Sequence, residues 1–258
     1  MREFVQHDVT DATSTTAQIG ERSASLRHGQ GFWAVHAWLP LLGLLLTIAV
    51  CALSEIDTRV ADLFFFDASH MQWTGAVTWW ASEAVVDGGR NVMRLVGGVA
   101  VALWVATFFW AGWRSRRRVL GYFVACLALS TLLIGGLKTL TNVDCPWDMA
   151  RYGGTRPWVA LFADRPDNLP AARCFPGAHS GSGFSLMCLY FVFLNRSRRR
   201  AVLGLSLGVL IGAMFSLAQQ ARGAHFLTHD VCSGFVVWLV CLALYIRFGR
   251  LTGPAANV

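Results

Sequence analysis

The sequence predicts an all-α fold: a polytopic membrane bundle of six transmembrane helices, with short interfacial helices on the outer face. Three observations carry that expectation. Hydrophobic residues make up 55% of the chain and charged residues 14%, where a soluble domain carries about a quarter charged. The mean hydropathy is +0.47. Several apolar runs approach or exceed the roughly 18–20 residues that cross a bilayer, and none alternates as the strands of a membrane barrel do.

Taken in order, residues 1–30 are polar, lack the apolar stretch of a signal peptide and read as a cytoplasmic tail. Residues 31–250 make up the six-span domain, with spans at about 32–53, 91–113, 119–139, 178–195, 201–219 and 229–247. Residues 54–90 hold FFF, WW and scattered acids, and read as short interfacial helices. A polar loop covers about 140–176, and residues 251–258 form a short tail. The tract RSRRR occurs at 114–118 and again at 196–200, while Arg247 and Arg250 follow the last span. These cations follow spans two, four and six, so they share one side, which the positive-inside rule makes cytoplasmic. Both termini are then cytoplasmic, and 54–90, 140–176 and 220–228 face outward. The arginine tracts also account for the net charge of +7, and with no nucleic-acid motif present no nucleic-acid partner is expected.

The outward segments carry the chemistry. Lys138, the only lysine in the chain, stands at the outer end of the third span. Alone it could be an anchor that snorkels to the interface. The stretch CFPGAHSGSG, residues 174–183, opens the fourth span. A helix starting there points free backbone N–H groups at the outer surface, and its small residues let an anion approach Gly177 and Ala178. A glycine-rich helix start packed on a neighbour, with a satisfied His179, would look the same. The turn ARGAHFLTHD, residues 221–230, adds Arg222, His225, His229 and Asp230. Together these groups make a cationic, amide-rich pocket with two or three imidazoles. It lacks the Cys or carboxylate clusters of a metal site, so neither a metal nor another cofactor is expected. It suits phosphate: cations for the oxygens, one histidine to attack, one to protonate the leaving group, and a carboxylate to orient the attacker.

These residues resemble the type 2 phosphatidic acid phosphatase family, whose signature runs K-x6-R-P, P-S-G-H and S-R-x5-H-x3-D. Here Lys138 is followed at the right spacing by Cys145-Pro146, then come Pro176-Gly177-Ala178-His179, and then His225 with His229 four residues on. The resemblance covers about 119–247 and is closest to the membrane-bound bacterial lipid phosphatases. It implies a bacterial inner-membrane enzyme with its active site on the periplasmic face, acting without metal on a lipid phosphate. The candidates are a polyprenyl (pyro)phosphate, phosphatidylglycerol phosphate, phosphatidic acid or the phosphates of lipid A. It implies His225 as the nucleophile that forms a phosphohistidine and His179 as the general acid. Lys138 and the Gly177–Ala178 amides would hold the phosphate. The sequence departs from the signature in four places, the mildest being P-G-A-H for P-S-G-H in the second motif. Cys145 and Gln219 stand where the family has arginine, and His229 stands where it has aspartate, with Asp230 one later. The missing charge is expected from Arg222, or from Arg151, Arg156 or Arg173, and the orientation of His225 from Asp230 or His229.

Of seven cysteines, Cys145 and Cys174 stand at the two ends of the outer loop. In an oxidising compartment they are placed to form a disulfide, and they could equally stay free. Three other readings compete with a lipid phosphatase or phosphotransferase. A proton-coupled transporter would also need intramembrane Lys and His, but these residues sit at one face and line no path across. A membrane cytochrome would need a partner for His36. A phosphate-binding relative with impaired catalysis fits the signature changes.

Overall fold

A computed structural model describes residues 29–159, 161, 163–249 and 251. The expected tails, 1–30 and 251–258, lie almost wholly outside the described residues, as does Arg250. The described residues up to Leu39 and those from Pro40 onward form two compact units. In the first, His36 stacks on Phe32 at 4.3 Å and its Nδ1 lies 2.9 Å from the Phe32 carbonyl oxygen.

Among the described residues, five helices are long and apolar enough to cross a membrane: α1 (Gln30–Leu53), α3 (Trp80–Phe109), a helical run Ala111–Asp148 whose main part is α4 (Arg117–Thr141), α6 (Arg198–Ala221) and α7 (Leu227–Phe248). The expected fourth span, α5 (residues 178–193), is helical throughout but changes character. It runs as α-helix Ala178–Phe184, tightens to 3₁₀ at Ser185–Met187 and resumes at Cys188–Phe193. It falls short of the length that marks the other five.

The segment 54–90 departs from the expected string of interfacial helices. It holds one short helix, α2 (Ile56–Phe64), and then a two-stranded antiparallel hairpin, β1 (Phe66–Asp67) with β2 (Gln72–Trp73). Asp67 drives that turn: its Oδ1 accepts from the Ser69 amide at 2.9 Å, and its Oδ2 pairs with His70 Nδ1 at 2.7 Å. Residues 74–77 are turns, and α3 then starts at Trp80 and not near 91. Glu83, Asp87 and the Gly88-Gly89 pair look like a boundary in the sequence. Instead, Gly89 gives the Phe215 ring a place to seat, and Ala81 and Val86 pack on Ala218. The helix therefore extends further along α6.

Close helix approach explains the position of α5. Gly204, Gly208 and Gly212 form a small-residue stripe on α6, and a Cβ at Gly183 would lie 2.8 Å from Gly212 Cα. Such stripes let helices meet backbone to backbone inside a membrane. From α4, the Tyr122 hydroxyl donates to the Cys241 carbonyl of α7 at 3.0 Å. So α4, α6 and α7 surround α5 and fix where its N-terminal turn lies.

Candidate functional site

The end of α4 that carries Lys138 is tied to the loop entering α5 by four contacts. Cys145 and Cys174 form a disulfide with Cα atoms 5.1 Å apart. The Thr141 hydroxyl donates to the Phe175 carbonyl at 2.5 Å, and the Cys174 amide to the Val143 carbonyl at 3.0 Å. Asn142 ends α4 in the left-handed conformation and accepts from the Ala172 amide at 2.7 Å. The loop thus returns directly over the α4 end that carries Lys138.

The start of α5 is fixed to the first turn of α7. The Gly177 amide donates to the His229 carbonyl at 3.0 Å, and the Ser233 hydroxyl to the Gly177 carbonyl at 2.8 Å. This corrects one expectation. The Gly177 N–H is spent on His229, so the amides left for an anion are those of Ala178 and His179, which have no hydrogen-bond partner among the described residues. Gly177 is required for another reason: a Cβ there would lie 2.8 Å from His225 Nδ1 and 2.6 Å from Ser180 Oγ.

His225 precedes α7 on the turn that follows α6. Gly223 makes that turn with φ of 73°, and Trp73 fills the space where a Cβ would go. His225 Nδ1 lies 2.8 Å from Asp230 Oδ1, with both residues almost fully buried. The same oxygen accepts from Ser180 Oγ at 2.6 Å, and Gln220 Nε2 donates to Oδ2 at 3.3 Å. An Nδ1–H held by a carboxylate leaves Nε2 with its lone pair. Nothing among the described residues bonds that atom. Lys138 is half-buried, lies within electrostatic reach of Asp230 and makes no hydrogen bond or ion pair among the described residues.

Two expected residues are not brought into this arrangement. The His229 ring turns away from His225, with centroids 6.3 Å apart, and sits edge-on between Phe175 and Phe226. Orientation of His225 falls to Asp230 alone. Arg222 folds back on its own helix, with Nη1 3.2 Å from Gln219 Oε1. Arg151 pairs with Asp62, Arg156 with Asp144 at 2.5 Å, and Arg173 is exposed. His179 lies over Phe215 with ring centroids 4.3 Å apart, and its Nε2 is buried without a partner among the described residues. Arg90 of α3 is within electrostatic reach of it.

Sequence reading missed Ser180, Gln220, Ser233 and, most distant in the chain, Asp57. The Asp57 carboxylate accepts from the Thr228 amide at 3.0 Å and from the Thr228 hydroxyl, so a residue of α2 caps the N-terminus of α7. Burial pushes the Asp57 carboxyl above its ordinary range, and the Thr228 bonds oppose that rise. A lone acid in an interfacial helix gives no such signal in a sequence. Among the described residues no group of three or more His, Cys, Asp or Glu side chains is arranged to hold a metal ion.

No curated protein and no solved structure matches the chain. Comparison with protein families matches residues 118–252, just over half of the chain, to the PAP2 superfamily, and the matched region begins at α4 and contains every residue of the cluster built around His225. With that match and this geometry, the chain belongs to the PAP2 superfamily, a family of phosphatases.

Proposed function

We propose that this chain is a multi-pass lipid phosphate phosphatase that works through a phosphohistidine on His225. The observation that carries the reading is the buried His225–Asp230 pair at 2.8 Å, beside the only lysine of the chain and the opening turn of α5. In the proposed reaction His225 Nε2 attacks phosphorus while the bond to the leaving oxygen breaks. His179 gives that oxygen its proton. Water then attacks the phosphohistidine, passing its proton to His179, and inorganic phosphate leaves. Lys138 and the Ala178 and His179 amides oppose the charge that develops on the phosphoryl oxygens, and Asp230 stabilises the imidazolium form of His225. In this reading α5 is a sixth, shorter crossing, both termini are cytoplasmic and the site opens to the outer leaflet of a bacterial inner membrane. The substrate is a membrane lipid (pyro)phosphate, with transfer of the phosphoryl group to another acceptor as the variant of the same chemistry.

The test is phosphate release by the purified protein in detergent from polyprenyl pyrophosphate, phosphatidylglycerol phosphate, phosphatidic acid and lipid A. An acid-labile, base-stable phosphoprotein is expected to accumulate after rapid mixing and denaturation, and to be absent from His225→Ala. A His225→Ala protein that turns over like the wild type overturns the reading. A chelator is expected to leave the rate unchanged; inhibition that added metal reverses would count against this mechanism.

A further inference from the structure

The family signature places two arginines that this chain lacks, at Cys145 and Gln219. A phosphate carries more negative charge than Lys138 alone neutralises, so the question is where the replacement charge lies. Most arginines of the outer loops are engaged elsewhere. Arg156 and Arg165 are held by the buried Asp144, Arg151 by Asp62 and Arg222 by Gln219.

Arg90 and Arg94 differ from these. They stand one turn apart on α3, both exposed, at one end of a cavity of about 550 Å³ bounded by α3, α4 and α5. That volume falls within the ~300–1,000 Å³ of small-ligand sites. Its walls are apolar away from the arginines, with Gly97 and Val101 on α3 and Leu127, Ala128 and Leu132 on α4. Ser182 and Ser185 of α5 complete the lining, and no acidic side chain contributes to it. Ser182 is three residues from His179 on the same helix, and Arg90 acts electrostatically on His179 itself. Neither arginine has a strong competing partner. Arg90 meets Asp87 at 3.2 Å in an exposed pair, and Arg94 meets Asn91 at 3.4 Å. Exposed contacts of this kind contribute little, and an arriving phosphate displaces them.

We propose that Arg90 and Arg94 are the anion-binding arginines of this site, moved from the signature positions to α3. They take the phosphate oxygens of a lipid whose hydrocarbon chain lies in the groove between α3 and α4. The proposal rests on the phosphatase reading, because the general acid marks the side from which the leaving group departs. The groove reaches Ser182, one helical turn from His179 on α5, so the lipid is the leaving group and departs into the membrane. The other cavity, against α1 and α2, is lined by Arg59, Arg151 and Arg156, but these are already paired with Glu55, Asp62 and Asp144, and Glu55 and Asp57 in its wall oppose an anion. Charge complementarity therefore selects one cavity of the two. In the competing arrangement the two arginines only snorkel to bulk headgroups.

Three measurements separate these outcomes. Titration calorimetry with inorganic phosphate, which needs no turnover, is expected to show at least tenfold weaker binding in the Arg90→Gln/Arg94→Gln protein than in the wild type. Wild-type affinity in that protein overturns the proposal whether or not the enzyme reading holds. On active protein, the same double variant is expected to raise KM at least tenfold for both 4-nitrophenyl phosphate and a long-chain lipid phosphate. The lysine pair Arg90→Lys/Arg94→Lys should recover part of that loss. Nothing lies within 4 Å of a Cβ at Gly97, so Gly97→Leu enters the groove without a backbone clash. It is expected to lower kcat/KM for the long-chain substrate at least tenfold relative to 4-nitrophenyl phosphate. An unchanged ratio rejects the groove as the seat of the chain. A wild type that binds phosphate through the arginines yet releases none from any substrate would overturn the phosphatase reading and leave the arginine assignment standing.

Discussion

His225 and Asp230 stand five residues apart, where the family signature separates histidine from aspartate by four. On one helix that extra residue would rotate the acid by about 100° away from its partner. It does not do so here because His225 lies before the helix. Phe226 is extended, with φ −88° and ψ 166°, and α7 begins only at Leu227. The turn absorbs the added residue, and Asp230 reaches His225 while His229 rotates into the aromatic contact with Phe175 and Phe226. Asp230→Asn should keep the shape but stabilise the wrong tautomer. A loss of about 10²–10⁴ in kcat is expected, as for comparable oriented histidines, and steady-state rates on a soluble phosphate check it. Asp57 acts at the same scale through pH. Its folded-state pKa is raised, so its contribution to stability is complete below the ordinary carboxylate range and is lost as pH rises through the folded value. Asp57→Asn removes that titration. Thermal unfolding in detergent between pH 4 and 8 should show a flatter stability profile in the variant, and an unchanged slope would contradict the raised pKa.

At the scale of elements, the disulfide and the glycine stripe hold α5 from two directions. Cys145 and Cys174 close a loop over a sequence separation of 29, and the chain-entropy account assigns such a bridge roughly 3–4 kcal/mol. Cys145→Ser/Cys174→Ser should lower the unfolding temperature and reduce activity together, because the strap joins the Lys138 helix to the His179 helix. Reductant should do the same to the wild type and nothing further to the variant. Gly208→Leu would drive a side chain into the backbone at Leu186 and Met187. Overpacking of that kind costs about 1–3 kcal/mol, read as weaker thermal stability in detergent. These elements also show what the sequence made legible. The long apolar runs and both arginine tracts located most spans to within a few residues, because membrane burial imposes length and hydropathy. The extension of α3 was hidden, since Glu83, Asp87 and Gly88-Gly89 resemble a helix boundary until Phe215 is seen to fill the space at Gly89. The signature residues Lys138, His179 and His225 were legible because their spacing is local. Asp57 and Gln220 act across turns and between segments, and Arg222 looked suitable only because linear proximity hides the direction of a side chain.

At the scale of the whole molecule, orientation decides whether the site meets lipid from outside the cell. Arginine is plentiful on both faces, but its company differs. Toward the proposed outer face, Arg59, Arg151, Arg156 and Arg165 are each matched by Glu55, Asp62 or Asp144. In the first RSRRR tract, Arg116 lies over Trp113, and Arg117 lies over Phe108 while donating to the Thr107 carbonyl at 2.6 Å. Acid-matched arginines leave little net charge on a loop. A dense tract of arginines near a span end resists translocation. That asymmetry predicts the tracts inside and the β1–β2 hairpin outside. Ser69, in the hairpin, and Ser115, in the first tract, are both exposed, while four of the five free cysteines are buried. A membrane-impermeant maleimide should therefore label Ser69→Cys in intact cells. Ser115→Cys should react only after the membrane is opened, and the parent protein should give little background. Labelling of Ser115→Cys from outside with Ser69→Cys protected would invert the molecule. It would place His225, the disulfide and both arginines of α3 toward the cytoplasm, where a reducing environment opposes the Cys145–Cys174 bond. The disulfide and the arginine tracts thus make the same statement about sidedness from independent chemistry, and one labelling experiment tests both.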